Sequence, residues 1–226
     1  YITIKSVKNY KQVLKDFKLA SQILINYKRK PILNIPIINN YKKTVNKLVQ
    51  HKLFTEIDRE VVRIFTNKLF LTKEITIDNK FKFQMVIDPK KYANAVYKNF
   101  NHKVCADNTY GKINKKYIPG IVNSFKSNIY ASYFHFQAAV NNKIVSTASL
   151  VINKVNNIAA ITNLSTLFEH RRKGLSTKLI QMALQHAKTM GVDLVFCNTE
   201  IGNASDKLFY NCGFTKSFEV VVLQPI

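Results

Sequence analysis

The feature that most constrains the fold is a short basic loop, Arg171-Arg172-Lys173-Gly174-Leu175-Ser176, that joins a predicted strand to a predicted helix. Residues 158–167 have the composition of a strand, and apolar residues recur at helical spacing from 175 to 190. The first amides of such a helix have no intrahelical partner and lie at the positive end of its dipole. A glycine and three basic residues at this point predict a phosphate-binding loop.

The residues after the loop continue the alternation of strands and helices. Residues 192–198 predict a buried strand, Asn203 a helix cap, residues 204–212 a short helix and residues 216–223 a last strand. With the loop, this stretch resembles the GNAT superfamily of acetyl-CoA-dependent N-acetyltransferases. The signature of that superfamily is an Arg/Gln-x-x-Gly-x-Gly/Ala loop, then an Asn-headed helix that ends in Tyr-x-x-x-Gly-Phe.

The resemblance covers residues 144–226 and implies both a fold and a mode of cofactor binding. The implied fold is α+β (mixed α/β), with a central, mostly antiparallel twisted sheet that is split at the cofactor site and flanked by helices. The strand before the loop is expected to hold the pantetheine arm, the loop amides the pyrophosphate, and Asn203 to face the cofactor across the split. The residues expected to bind acetyl-CoA are Leu164, Ser165, Thr166, Arg171, Arg172, Lys173, Gly174, Leu175, Ser176 and Asn203.

The sequence departs from the family pattern at two positions. Phe168 replaces the usual proline before the loop. The family tyrosine lies four residues before the glycine of Gly-Phe, whereas Tyr210 lies three before Gly213 and Phe209 takes the fourth place. Tyr210 is still the candidate that protonates the leaving thiolate, because a phenol of pKa about 10 is near that thiolate in basicity. The alternative is that Tyr210 is a plain core or rim aromatic.

Glu169 and Glu200 are the candidate general bases for the attacking amine, acting directly or through water. Glu169 has an alternative interpretation as a surface acid paired with Arg171 or Arg172. Backbone carbonyls at the strand end can also accept the amine protons, in which case no dedicated base is needed.

The resemblance implies an enzyme that moves the acetyl group of acetyl-CoA to a primary amine of a protein, peptide or small molecule. The amine attacks the thioester directly in a ternary complex, so that positioning and oxyanion stabilisation supply most of the catalysis. The alternative is a catalytically weak CoA-binding regulatory or interaction module that has kept the GNAT fold.

Composition limits the remaining possibilities. The chain of 226 residues is long enough for a substantial core, and it contains no apolar run long enough to span a membrane. Its three cysteines show no metal-ligand spacing, so we expect no metal and a reducing, cytoplasmic location. The sequence begins with Tyr1 rather than Met, which leaves open an upstream tag, signal or further domain.

The net charge of +22 arises from 35 basic and 13 acidic residues. An abundance of Lys, Asn and Ile is typical of an AT-rich genome, and we expect a bacterial one. The basic residues are spread over both halves of the chain and form no recognised nucleic-acid module. We therefore expect nucleic-acid binding to be weak and non-specific and expect no membrane partner, while the oligomeric state stays open.

The chain is predicted to contain a GNAT domain over residues 79–226 and a mainly helical N-terminal module over residues 1–78. Further predicted elements of the domain are strands at 81–87, 132–140 and 143–153 and helices at 89–101 and 113–126, and those of the module are a helix around 7–17, an extended linker between Pro31 and Pro36, and helices at 41–53 and 57–71. The alternative is that residues 1–78 begin a degenerate second GNAT unit.

Overall fold

The computed structural model describes most of the chain after residue 75 and shorter stretches before it. The described residues are 2–3, 11, 15, 17, 33–37, 41–52, 54–66, 75–102, 113–126 and 129–225. The chain divides into two compact units. Unit 1 contains residues 1–63, 198–207 and 215–226, and unit 2 contains residues 64–197 and 208–214.

Strands outnumber helices among the described elements. In chain order these are β1 (Ile2–Thr3), β2 (Leu33–Ile37), α1 (Tyr41–Gln50), β3 (Phe54–Thr66), β4 (Lys82–Met85), α2 (Pro89–Phe100), α3 (Tyr117–Ser124), β5 (Ala131–Val140), β6 (Lys143–Asn153), β7 (Ile158–Thr166), a 3-10 turn (Phe168–His170), α4 (Leu175–Thr189), β8 (Leu194–Glu200), α5 (Ala204–Asn211) and β9 (Thr215–Pro225).

In unit 2 the strand order is β8-β7-β6-β5-β4. Strands β4 to β7 pair antiparallel, and β7 pairs with β8 in parallel. The β5–β6 turn places Asn141 and Asn142 at φ 48° and 59°, which matches a tight hairpin turn and confirms the predicted connection. Pairing between β7 and β8 runs only from Ile158 to Ala160, so these two strands separate towards their carboxyl ends.

Helices cover the sheet of unit 2. The apolar side of α4 packs on β5, β6 and β7, and α2 packs on β6 and β7. Leu179, Ile180 and Ala183 of α4 are fully buried in the main core, and Tyr92 of α2 centres a second apolar cluster. Burial of these side chains removes a large apolar area from water, which is the main stabilising term of the unit.

In unit 1 the strand order is β1-β2-β9-β3-β8, to which β8 contributes residues from Asn198 onward. The predicted linker between Pro31 and Pro36 is wrong, because β2 pairs antiparallel with β9 over its whole length. Among the described residues, β1 pairs with Leu33 and Asn34 of β2, so Pro36 lies outside this pairing, where a missing N–H is tolerated.

The predicted helix at 57–71 is also wrong, because residues 54–66 form strand β3. Apolar residues at 57, 61, 64 and 65 fit a helical spacing, but the segment is rich in β-branched residues, which favour a strand. The N-terminal segment is therefore not mainly helical in its described part. Helix α1 confirms the prediction at 41–53, and most of the helix around 7–17 lies outside the described residues.

The predicted division after residue 78 does not coincide with the two units, because unit 1 contains two C-terminal segments of the chain. Whether residues 1–78 and 79–226 are domains, and whether the first is a degenerate GNAT unit, stays a prediction. No helix in the described part of the chain has the length and hydropathy needed to span a bilayer.

Candidate functional site

The loop after β7 has the backbone shape that binds anions. Arg172 and Gly174 both have left-handed backbones, with φ 60° and 74°, on either side of Lys173. Alternating backbone conformations of this kind turn successive amides towards one point. Helix α4 begins directly afterwards at Leu175, so its first amides lack intrahelical partners and lie at the positive end of the helix dipole.

Two basic side chains of the loop turn back towards their own chain. The Nε atom of Arg171 donates to the carbonyl of Thr166 at 3.2 Å, and its guanidinium lies over the Phe168 ring at 5.5 Å. The Nζ atom of Lys173 donates to the carbonyl of Glu169 at 2.9 Å. These contacts hold the turn closed, while both cations keep the local potential positive.

A hydroxyl chain fastens the start of α4 to the sheet. The Oγ atom of Ser176 lies 2.7 Å from Thr166 Oγ1, which in turn lies 2.7 Å from Ser146 Oγ on β6. Ser176 therefore fixes the position of the helix start against β7, a role that its small size alone did not reveal.

Gly174 is required for two reasons in this structure. Its left-handed φ of 74° is a conformation that side chains disfavour, and an added Cβ would lie 2.9 Å from Cγ2 of Ile75. The sequence predicted only a phosphate-binding loop with a glycine at this position. The structure adds a packing requirement that no sequence pattern indicated.

Glu169 is a solvated acid. Its carboxylate lies 3.5 Å from Lys143 Nζ, rather than on Arg171 or Arg172. A hydrogen bond from its own backbone and the nearby Lys143 charge lower the pKa of Glu169 below its usual value. A weaker base results, so these contacts favour a surface role over proton abstraction.

Phe209 and Tyr210 occupy opposite environments on α5. Phe209 is buried in the main core and packs edge-on against Phe214 at 5.0 Å, whereas Tyr210 is 66% exposed. The helix ends tightly, since the amide of Gly213 bonds to the carbonyl of Tyr210 at 2.9 Å. The exposed tyrosine is the one that a substrate can reach, and its catalytic role stays a prediction.

The turn after β8 carries Glu200 and Asn203 in unit 1. The side chain of Asn203 caps α5, because its Oδ1 accepts a hydrogen bond from the Asp206 amide at 2.8 Å. Its Nδ2 atom lies 3.5 Å from a carboxylate oxygen of Glu200, which is half-buried. The cap is confirmed, whereas contact of Asn203 with a cofactor and base catalysis by Glu200 stay predictions.

Sequence reasoning missed the residue pair that holds this turn. Asp206 accepts hydrogen bonds from the Gly202 amide at 2.9 Å, from Thr199 Oγ1 at 3.1 Å and from the guanidinium of Arg63 on β3. Burial alone would raise the pKa of Asp206, but these donors together lower it below its usual value. Nothing in the sequence indicated Arg63 as the partner of Asp206, because residues 57–71 were interpreted as a helix.

Sequence reasoning also missed a polar network on β6 and β7. Ser146, Thr147 and Ser149 are all buried within β6. Three hydroxyl residues inside an otherwise apolar strand were the available signal, since buried polar groups need partners. Their partners include Ser165 and Thr166 of the predicted cofactor strand, whereas Leu164 packs against the main apolar core.

The described residues therefore bring together one part of the predicted site. The β7 end, the loop and the start of α4 form a continuous surface from Leu164 to Ser176 in unit 2. Leu175 is buried beneath this surface rather than exposed on it, so only its backbone is available to a ligand. Within the described part of the chain, no cluster of His, Cys, Asp and Glu has the arrangement of a metal site.

Comparison with known proteins agrees with this geometry. Residues 109–214 match the family described as Acetyltransferase (GNAT) family. The match covers slightly less than half of the chain, and the fold of the described residues agrees with the fold of that family. The sequence has no significant match among curated proteins.

Solved structures share the fold at low sequence identity. A GCN5-related N-acetyltransferase from Kribbella flavida matches with a TM-score of 0.67 and 16% identity, over 99% of this chain and 77% of that one. A tandem GNAT protein from the clavulanic acid biosynthesis pathway matches with a TM-score of 0.68 and 13% identity, over 93% and 68%. A GCN5-related N-acetyltransferase from Sphaerobacter thermophilus has a TM-score of 0.64 and 13% identity, over 85% and 58%.

Proposed function

We propose that the protein transfers an acetyl group from acetyl-CoA to a primary amine of a protein, peptide or small molecule. The observation that carries the proposal is the loop after β7, with left-handed backbones at Arg172 and Gly174 directly before the start of α4. A pyrophosphate fits this loop because convergent amides, a helix N-terminus and a positive surrounding charge all favour a dianion.

The strand before the loop is suited to an extended thioester arm. Its pairing with β8 ends at Ala160, so the backbone from Leu164 to Thr166 is not engaged by that neighbour. Acetyl-CoA supplies the activated acetyl group, and the residues of the chain hold the arm beside the incoming amine. Direct attack in a ternary complex needs no covalent enzyme intermediate.

Few of the described candidate residues are suited to proton transfer. Tyr210 is exposed and is our candidate for protonating the leaving thiolate, whereas Glu169 is paired with Lys143. Glu200 stays a candidate base in unit 1. We expect Tyr210→Phe to lower kcat roughly ten- to a thousandfold with little change in acetyl-CoA affinity, because general-acid help is worth about 10²–10⁴.

An assay of CoA release with a panel of amines tests the function. Wild-type turnover with at least one amine, reduced by Tyr210→Phe, supports the proposal. Tight acetyl-CoA binding without turnover on any amine would instead support a regulatory CoA-binding module. Phe209→Ala is the matched control, since loss of a buried ring should reduce stability by about 3–5 kcal/mol rather than slow the chemical step selectively.

The basic surface and the cysteines support two further proposals. With a net charge of +22, the protein should attract anions, and any nucleic-acid binding should be weak, indifferent to sequence and steeply lost with salt. Cys197 and Cys212 are both buried, and with so few cysteines we propose a reducing cytoplasm as the location.

A further inference from the structure

A chain of hydrogen-bonded polar side chains connects Tyr117 on α3 to His135 on β5. The Tyr117 hydroxyl donates to Asn163 Oδ1 at 3.1 Å, and Asn163 Nδ2 donates to Ser149 Oγ at 3.1 Å. Ser149 Oγ lies 2.8 Å from His135 Nδ1, and Ser124 Oγ lies 3.1 Å from His135 Nε2. All of these residues belong to unit 2.

The donors in this chain run in one direction. Ser124 Oγ donates to the carbonyl of Ile121 at 2.7 Å, so its oxygen is left to accept from His135 Nε2. Ser149 Oγ accepts from Asn163 Nδ2, and it lies 2.8 Å from His135 Nδ1 and 2.9 Å from the Tyr92 hydroxyl, which donates to the Ala148 carbonyl. Burial lowers the pKa of His135 to about 4, so the imidazole is neutral near neutral pH and its Nδ1 can accept the Ser149 proton.

The network fixes Asn163 in an uncommon backbone conformation. Asn163 has φ 52°, and it lies in a bulge where Asn163 and Leu164 of β7 face the single residue Ala148 of β6. Asparagine tolerates the left-handed region better than most residues, but such a residue in a strand still carries strain. Both Oδ1 and Nδ2 of Asn163 are hydrogen-bonded, which fixes the orientation of the side-chain amide.

The Tyr117 oxygen is the open end of the network. Its proton is used towards Asn163, and its lone pairs can accept a hydrogen bond because the side chain is 46% exposed. Partial burial raises the pKa of Tyr117, so the hydroxyl stays protonated and keeps its bond to Asn163. Asn163 directly precedes Leu164–Thr166, the segment to which the proposed function assigns the thioester arm.

We propose that the oxygen of Tyr117 accepts a hydrogen bond from the acceptor amine, and that Asn163, Ser149 and His135 position that oxygen. The inference rests on the proposed function. A neutral amine that donates one N–H to Tyr117 keeps its lone pair available to attack the thioester carbonyl. The site recognises a primary amine by its N–H donors and needs no negative charge to do so.

The test is the kinetics of Tyr117→Phe with an amine that the wild-type protein acetylates. Loss of one substrate hydrogen bond should raise KM for the amine about three- to tenfold. KM for acetyl-CoA should not change, since the ring is kept and the loop is untouched. Tyr130→Phe is the matched control, because Tyr130 is an exposed tyrosine that precedes β5, and its kinetics should equal those of the wild type.

A second variant separates the side chain of Asn163 from its backbone. Asn163→Gly keeps a backbone that readily adopts positive φ but removes the amide, so it should raise KM for the amine as Tyr117→Phe does. The double variant should show no further rise, since both changes remove the same interaction.

The possible outcomes are distinct. An unchanged KM for the amine in Tyr117→Phe would overturn this inference and leave the proposed function intact. Additive effects of the two changes would also overturn it, because Asn163 would then not act through Tyr117. No turnover by the wild-type protein on any amine would overturn the proposed function and this inference together.

Discussion

The turn after β7 and the turn after β8 are held in different ways. Contacts within the first turn, such as Thr166 with Ser176 and Lys173 with Glu169, join residues close in sequence, and Thr166 and Glu169 also contact Ser146 and Lys143 on β6. The second is held by Asp206, whose partner Arg63 lies 143 positions away on β3. The first turn therefore depends mainly on its own residues and on the adjacent strand β6, and the second depends on the N-terminal part of the chain.

The two turns also differ in burial, and burial decides what each contact contributes. The side chains of Arg63 and Asp206 are only 12% and 9% exposed, whereas Glu169 and Lys143 are at least half exposed. Loss of one partner from a buried pair leaves an uncompensated charge, while an exposed pair contributes about 0–1 kcal/mol. The comparison predicts that the turn after β8 is the more sensitive to substitution.

Among the substitutions in these two turns, we expect Arg63→Ala to lower the free energy of unfolding most. It leaves the Asp206 carboxylate buried without its cation and should lower the free energy of unfolding by about 3–5 kcal/mol. Arg171→Ala is the control for the turn after β7, and since Arg171 is exposed its cost should stay under about 1 kcal/mol. Urea denaturation of both variants measures the difference, and equal losses would contradict the comparison.

Acid should lower the stability contributions of His135 in unit 2 and Asp206 in unit 1 at different pH values. The pKa of His135 falls from 6.5 to about 4 on folding, so the unfolded chain binds more protons between these values. The stability due to neutral His135 is complete above about pH 6.5 and falls by about 3 kcal/mol in total as the pH drops to about 4. Asp206, whose pKa is lowered from 3.8, should lose its contribution only at lower pH.

The control for the acid effect is His135→Gln. The described neighbours of His135 from α2, α3 and β6 are Tyr92, Phe125, Ser124 and Ser149, and none is charged in this pH range. Burial also lowers the pKa values of His170 and His186, so the difference between wild type and variant isolates His135. If the free energies of unfolding of the wild type and of His135→Gln change in parallel between pH 6.5 and 4.5, His135 does not titrate as described.

A smaller effect is expected from Gly174→Ala. The left-handed backbone and the contact with Ile75 should together lower the free energy of unfolding by about 1–2 kcal/mol. Gly120→Ala is the control, because nothing lies within 4 Å of an added Cβ in α3 and alanine should stabilise that helix by about 0.5–1 kcal/mol. Thermal unfolding measures both effects. An unchanged melting temperature for Gly174→Ala would contradict the packing requirement at this position.

The sequence predicted the elements around the loop because their signals are local. The Asn141-Asn142 turn, the Asn203 cap and the helical spacing of α4 each depend on a few neighbouring residues, and all three lie where expected. Gly174 was identified for the same reason, although the structure gives a packing reason, through Ile75, that the sequence did not.

The elements that were missed depend on partners far away in sequence. Strand β3 has an apolar spacing that also fits a helix, and only its neighbours in unit 1 decide between the two. The role of Asn163 as the centre of a polar network needs Tyr117, Ser149 and His135 from three other elements. Pattern reasoning detects a periodicity, whereas these contacts are set by the tertiary fold.

Calorimetric titration with acetyl-CoA tests the central claim, that the loop after β7 holds the pyrophosphate. The wild-type protein should bind, and Arg172→Glu/Lys173→Glu should lower affinity on the order of tenfold or more by reversing charge at the loop. Lys90→Glu/Lys91→Glu makes the same change in net charge at exposed positions of α2 and should bind like the wild type. Absence of binding by the wild-type protein, or equal losses in both variants, would contradict the account.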